Sequence, residues 1–190
     1  MNKNVNTMDS VLLSIRPEWC EKIASGEKTI EVRKTRPKID TPFKCYIYCP
    51  CSNPKWKSLF WLDKTHNENA DTYGKVIGEF VCNRIDVIEV SSEAFNKYAE
   101  ESCLTQNDFI EYCNGQDLYA WHISDLVIYD EFKELSEFYT IKKCNSCNES
   151  GYEAAACIYD AECKVPVQLT RPPQSWCYVE DGTEDNETAI

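Results

Sequence analysis

The chain has no apolar run approaching the ~20 residues that a bilayer-spanning helix requires. Its opening MNKNVNTMDS also lacks the apolar core of a signal peptide. Both absences predict a soluble, cytoplasmic protein with no membrane partner. Cations are scarce too, 20 lysines and arginines standing against 32 acids for a net charge of −12. That balance argues against a general nucleic-acid coat, which relies on many cationic contacts to phosphates. Disulfides are not expected either, because a chain without an export signal keeps its 12 cysteines as thiols or metal ligands.

What charge there is lies unevenly. From Lys28 to Lys44 six cations face Glu31 and Asp40, whereas from Asp86 to Asp117 eight acids face Lys97 alone, and Glu180 to Ile190 adds five acids with no base. The expectation is a local basic site on an acidic body. With 190 residues, a domain of about 130 residues plus an appended module is the natural division.

The stretch LSIRPEWCEKIASGEKTIEVRKTRP, Leu13 to Pro37, carries most of the functional signal. Val11 to Ile15 reads as a buried strand. Pro17 suits a first helical turn, and Trp19, Cys20 and Ile23 recur at roughly helical spacing until Ser25-Gly26 stops the helix. Thr29 to Val32 returns to strand, with Glu31 and Arg33 on the face opposite Ile30 and Val32. Lys28, Glu31 and Arg33 are therefore expected to converge near one strand end.

Further on, Phe43 to Tyr48 alternates like a strand. Cys45-x-x-x-Cys49-x-Cys51, with His66 as a distant fourth ligand, is a poor match to zinc spacing, and buried or loop thiols are the simpler reading. Trp56 lies in an inserted loop, 50–73, where it anchors the loop or stacks a base. Lys75 to Val90 suits two strands or one bent strand, with Gly78 a bulge or close-approach point. Ser92 to Ser102 is helical with Ser92 as N-cap, and Thr105-x-x-Asp108 opens a second helix like a capping box that Asn114-Gly115 ends. Leu118 to Tyr129 is strand, and His122, opposite Trp121, is more simply structural than catalytic. Cys144-x-x-Cys147 is a good zinc half-site, and Cys157 with Cys163 supplies a looser second half, Cys177 competing for the fourth place. A structural zinc is the expected cofactor, since so little apolar residue would otherwise fold the segment.

The pattern Ser14-Ile15-x-Pro17 followed by Gly26-x-Lys28-Thr29-x-Glu31-x-Arg33-Lys34 resembles the signature of ASCH domains, small β-barrels similar to PUA domains. Gly74 to Phe80, Trp121-His122-Ile123 and Leu169 to Tyr178 resemble the longer ASCH proteins of Firmicutes phages and prophages. The cysteine spacing sets a Cys-rich, zinc-binding module over 139–168 and the acidic composition a disordered tail 181–190, while the resemblance implies an α+β fold, a PUA-like mixed β-barrel with flanking helices over 11–138 and a segment 169–180 returning to it. It also implies that the returning segment rims the pocket, its Pro172-Pro173 holding Arg171 extended. Arg16, Lys28, Arg33, Lys34, Arg36, Arg171 and Trp176 form the expected ligand-binding set.

ASCH proteins include amidohydrolases that deacetylate N4-acetylcytidine. Their lysine falls on Lys28. Their threonine falls on Glu31, which removes the obvious nucleophile, and their glutamate falls by ungapped match on Ser102, one residue beyond Glu101. Lys28, Glu31 and Glu101 are thus the catalytic candidates, while a salt bridge that fixes the pocket explains Lys28 and Glu31 equally well. Three function classes follow. The first is binding of a nucleotide, a modified nucleoside or short single-stranded RNA in a small basic pocket. The second is hydrolysis, of a modified nucleoside or of RNA. The third is a phage inhibitor whose acidic face occupies a nucleic-acid-binding host protein.

Overall fold

Val11, Leu12 and Leu13 are all buried although strand neighbours point to opposite faces, so the first strand must be covered on both sides. The computed structural model, which describes residues 10–50, 74–143 and 164–181, shows how. Strand β1 (Ser10–Ser14) lies between β3 (Phe43–Cys49) and β8 (Trp176–Asp181). Val11 and Leu13 enter one core with Ile23 of helix α1 (Pro17–Ala24), Phe43, Ile47, Phe80 and Trp121. Leu12 enters another with Tyr46, Phe138 and Val179.

The other strands are β2 (Ile30–Arg33), β4 (Lys75–Ile88), β5 (Leu118–Glu134), β6 (Phe138–Lys143) and β7 (Lys164–Gln168). Their order is β2-β5-β4-β3-β1-β8-β6-β7, a mixed sheet in which β1 and β3 run parallel and the other pairs antiparallel. Helices α2 (Ser92–Ser102) and α3 (Gln106–Cys113) cover one end, where Phe95 and Phe109 stack and pack over Ile30, Val32 and Ala120.

Local reasons decide between the expected alternatives and move some element bounds. The Lys75 stretch is one strand bent by register shifts, and Gly78 is its close-approach point: a Cβ there would collide with the Val127 carbonyl and stand 3.1 Å from Ile128 Cα. The α2 N-cap is Ser91, not Ser92, because Ser91 is extended (φ −150°) and its Oγ accepts from Ala94 N at 3.1 Å. Strand β5 continues past Tyr129 to Glu134. Strand β6 pairs with β7 from Tyr139↔Gln168 to Lys143↔Lys164. Cys45 and Cys49 are buried in β3, where burial and the neighbouring Cys82 push the Cys45 thiol pKa up, so they are core thiols. Cys51, Trp56, His66, the tail 182–190 and the four proposed zinc ligands Cys144, Cys147, Cys157 and Cys163 lie outside the described residues. No helix among the described residues is long and apolar enough to cross a membrane.

Candidate functional site

Gly26 (φ +80°) turns the chain out of α1, and Lys28 N then donates to Lys22 O at 2.9 Å, fixing the turn. The next residue, Thr29, donates its N–H to Glu101 O at the end of α2, also at 2.9 Å. Lys28 is thereby driven under the C-terminus of α2, where its Nζ donates to Ser102 O at 2.7 Å. Strand alternation in β2 sends Ile30 and Val32 toward the helices and Glu31 and Arg33 to the opposite face.

Three charges are buried together as a result. Lys28, Glu31 and Arg33 are 3%, 6% and 6% exposed. Glu31 Oε2 lies 3.4 Å from Lys28 Nζ and Glu31 Oε1 lies 3.0 Å from Arg33 Nε. The Arg33 Nε–H is not aligned on that oxygen, so the second contact is an ion pair without a hydrogen bond. The rest of the guanidinium is taken up by the backbone: it donates to Ser14 O at 2.9 Å, Ser175 O at 3.2 Å and Ser175 Oγ at 3.3 Å. Burial lowers the Lys28 pKa from its ordinary value, against the opposing pull of Glu31.

A cavity of about 590 Å³ opens over this triad, within the range of small-molecule sites. Two aromatic residues line it, Trp19 of α1 and Tyr112 of α3, together with Pro172, Pro173, Gln174 and Leu104. Lys28 Nζ stands 5.2 Å from the Trp19 ring centre. Burial raises the Tyr112 pKa, so its phenol is a neutral wall.

The structure brings together only part of the expected set. Arg16 lines the cavity, exposed, beside the triad. Lys34 is exposed, its Nζ 5.0 Å from the Tyr112 ring centre, and Arg36 lies 5.9 Å from that of Tyr119; neither lines the cavity. Arg171 is outside as well: Pro172, Pro173 and Gln174 line that side, held by Ser14 Oγ donating to Pro173 O at 2.6 Å. Trp176 is a packing residue, its ring 5.9 Å from that of Trp121 and its Nε1 donating to Thr35 Oγ1 at 3.0 Å. Glu101 is exposed and does not line the cavity; its contribution is the backbone oxygen that holds Thr29. His122 sits in a separate cluster, 2.9 Å from Asp86 Oδ2, to which Tyr98 also donates. Burial works to raise the Asp86 pKa, but the His122 hydrogen bond and the Arg84 charge outweigh it and hold the carboxyl below its usual range.

Sequence reasoning missed Trp19, read only as part of the helix spacing, and on α3 it missed Asp108, Glu111 and Tyr112. Spaced i, i+3, i+4, these last three share one face of α3, while Phe109 and Cys113 take the buried face. Asp108 was legible only as a cap, and its carboxylate does accept from Thr105 N at 2.8 Å and Thr105 Oγ1 at 2.6 Å. These acids correct the expectation of a basic pocket. Arg16, Lys28 and Arg33 are matched by Glu31, Asp108 and Glu111, so the lining charges balance. Among the described residues, no group of three or more His, Cys, Asp or Glu side chains is placed to hold a metal.

The ASCH domain family model matches residues 13–169. Among solved structures, the ASCH protein of Zymomonas mobilis is similar over 92% of this chain and 90% of its own, at 18% identity and a TM-score of 0.52. A mutant of that protein is similar over 91% and 89%, at 17% identity and the same TM-score. No curated protein matches the chain. At such identities the structures establish the shared PUA-like fold, and together with the family match over most of its length they show that the chain belongs to the ASCH domain family.

Proposed function

We propose that the cavity receives one base, of a nucleotide, a modified nucleoside or a short single-stranded RNA. The observation that carries this reading is the buried Lys28–Glu31–Arg33 triad at the floor of a cavity with Trp19 and Tyr112 in its walls. Planar ligands stack on such rings, and a fixed set of donors and acceptors beneath them reads a base edge. The family's link to RNA binding supports it. The test is calorimetric titration with a panel of ribonucleosides, modified nucleosides and short oligoribonucleotides. One site per chain is expected, weakened at least about fivefold by Trp19→Ala, since stacking contributes about 1–3 kcal/mol per base. No binding across the panel, or full affinity in Trp19→Ala, overturns the reading.

Hydrolysis is the second reading, and one observation favours it. Lys28, its ammonium destabilised by burial and 3.4 Å from Glu31, is set up to exchange a proton with a bound substrate. Product analysis by mass spectrometry decides this: Glu31→Gln abolishes turnover and leaves binding nearly intact if Glu31 takes part in the chemistry. We also propose that Cys144, Cys147, Cys157 and Cys163 hold a structural zinc, on the strength of the Cys144-x-x-Cys147 spacing. On this reading the protein works in the cytoplasm.

A further inference from the structure

Two charged side chains lining the cavity, Arg16 and Glu111, have no side-chain partner among the described residues. The others are committed. Arg33 is held by three hydrogen bonds to Ser14 and Ser175 and by its ion pair with Glu31, and Lys28 is held by Ser102 O and Glu31, which leaves Lys28 one N–H for a ligand. A single ammonium N–H already paired with a carboxylate suits a neutral acceptor, such as a base carbonyl. A phosphate would find Arg16 as its one uncommitted cation and meet Asp108 and Glu111 on the α3 wall. The rest of the body, at −12, adds repulsion of the same sign.

We propose, resting on the single-base reading above, that this cavity selects an unphosphorylated nucleoside over its phosphorylated counterpart, and that Glu111 is the residue that sets the preference. Asp108 contributes less because its carboxylate is occupied as the α3 cap. Glu111 is exposed and lines the cavity, so its carboxylate is open to a 5′-phosphate carried by a base seated on the triad. The preference is electrostatic, so it fades with salt.

The experiment measures affinity of the full chain for the four common ribonucleosides, N4-acetylcytidine and the 5′-monophosphate of each, at low and at raised salt. Whichever nucleoside binds is expected to do so about tenfold tighter than its monophosphate at low salt, and Glu111→Gln is expected to narrow the gap to about twofold, chiefly by tightening the monophosphate. Glu93→Gln, the same charge change at an exposed site on α2 outside the cavity lining, leaves the gap open. Monophosphates that bind as tightly as nucleosides overturn this inference while the single-base reading stands. A gap that survives Glu111→Gln, or that Glu93→Gln closes equally well, overturns the assignment to Glu111. Failure of every nucleoside and monophosphate to bind sinks the single-base reading, and this inference with it.

Discussion

Glu31→Gln is the sharpest probe of the buried triad, because it removes the one anion between two buried cations without changing shape. Arg33 keeps its charge and its three oxygen acceptors. Lys28 keeps only Ser102 O and has an escape: it can shed its proton. Deprotonating a lysine of ordinary pKa ~10.4 costs about 1.36 kcal/mol per pH unit, or ~4.6 kcal/mol at about pH 7 and ~1.2 at about pH 9.5. These figures cap what an unpaired Lys28 can cost. Breaking a buried pair typically costs about 3–5 kcal/mol, and water entering the open cavity softens this, so a loss of about 2–4 kcal/mol is expected at about pH 7. The sign with pH follows from proton counts. Lys28 in the folded protein has a pKa below its unfolded value, and losing Glu31, which props it up, lowers it further. Between the two pKa values the unfolded chain binds more protons, so stability rises with pH, more steeply in the variant than in the parent. The deficit is full below the variant's folded Lys28 pKa and shrinks as pH climbs toward the parent's. Urea unfolding of both proteins at about pH 7 and about pH 9.5 reads it directly, with a fall of at least ~1 kcal/mol expected between them. A deficit under ~1 kcal/mol at neutral pH, or one that does not change with pH, would refute the view that Lys28 is a buried cation held by Glu31.

Three other outcomes are expected. Gly78→Ala forces a methyl into the Val127 carbonyl and should cost at least ~2 kcal/mol, lowering Tm by about 4–8 °C in a scanning calorimeter; an unchanged Tm would contradict the close approach of β4 and β5. Any oligoribonucleotide that binds should do so with a salt slope no steeper than about 0.7, one phosphate's worth, because the cavity lining carries no excess positive charge. A slope beyond ~2 would argue for a phosphate-tracking surface instead. Metal analysis of protein purified without added zinc should find close to one equivalent, and less than about a tenth, with stability indifferent to chelator, removes the zinc proposal.

The local grammar of the site was readable. Pro17 at the first helical turn, the Gly26 reversal and the alternation of Ile30, Glu31, Val32 and Arg33 each depend on neighbours within a few positions. Thr105 and Asp108 form the expected box for the same reason. What was not readable is which surfaces face each other. Nothing near Glu111 or Tyr112 indicates that α3 folds over the signature, so an acidic stretch and a basic stretch looked like separate faces when they are opposing walls of one cavity. Arg171 misled in the opposite sense: its neighbours are held at the site through backbone oxygens, which no residue type advertises. The choice between Ser91 and Ser92 turned on one extended φ angle.

The clamp between Arg33 and Ser175 joins positions 142 residues apart, and that between Ser14 and Pro173 joins positions 159 apart. Synthesis at ~5–20 residues per second puts roughly 7–28 s between the moment Arg33 is added and the moment Ser175 exists to accept from it. Throughout that interval the nascent chain carries the whole signature with an unclamped arginine and no Pro172–Gln174 wall. A chain stopped between Arg33 and Ser175 therefore has the motif but not the far side of the cavity.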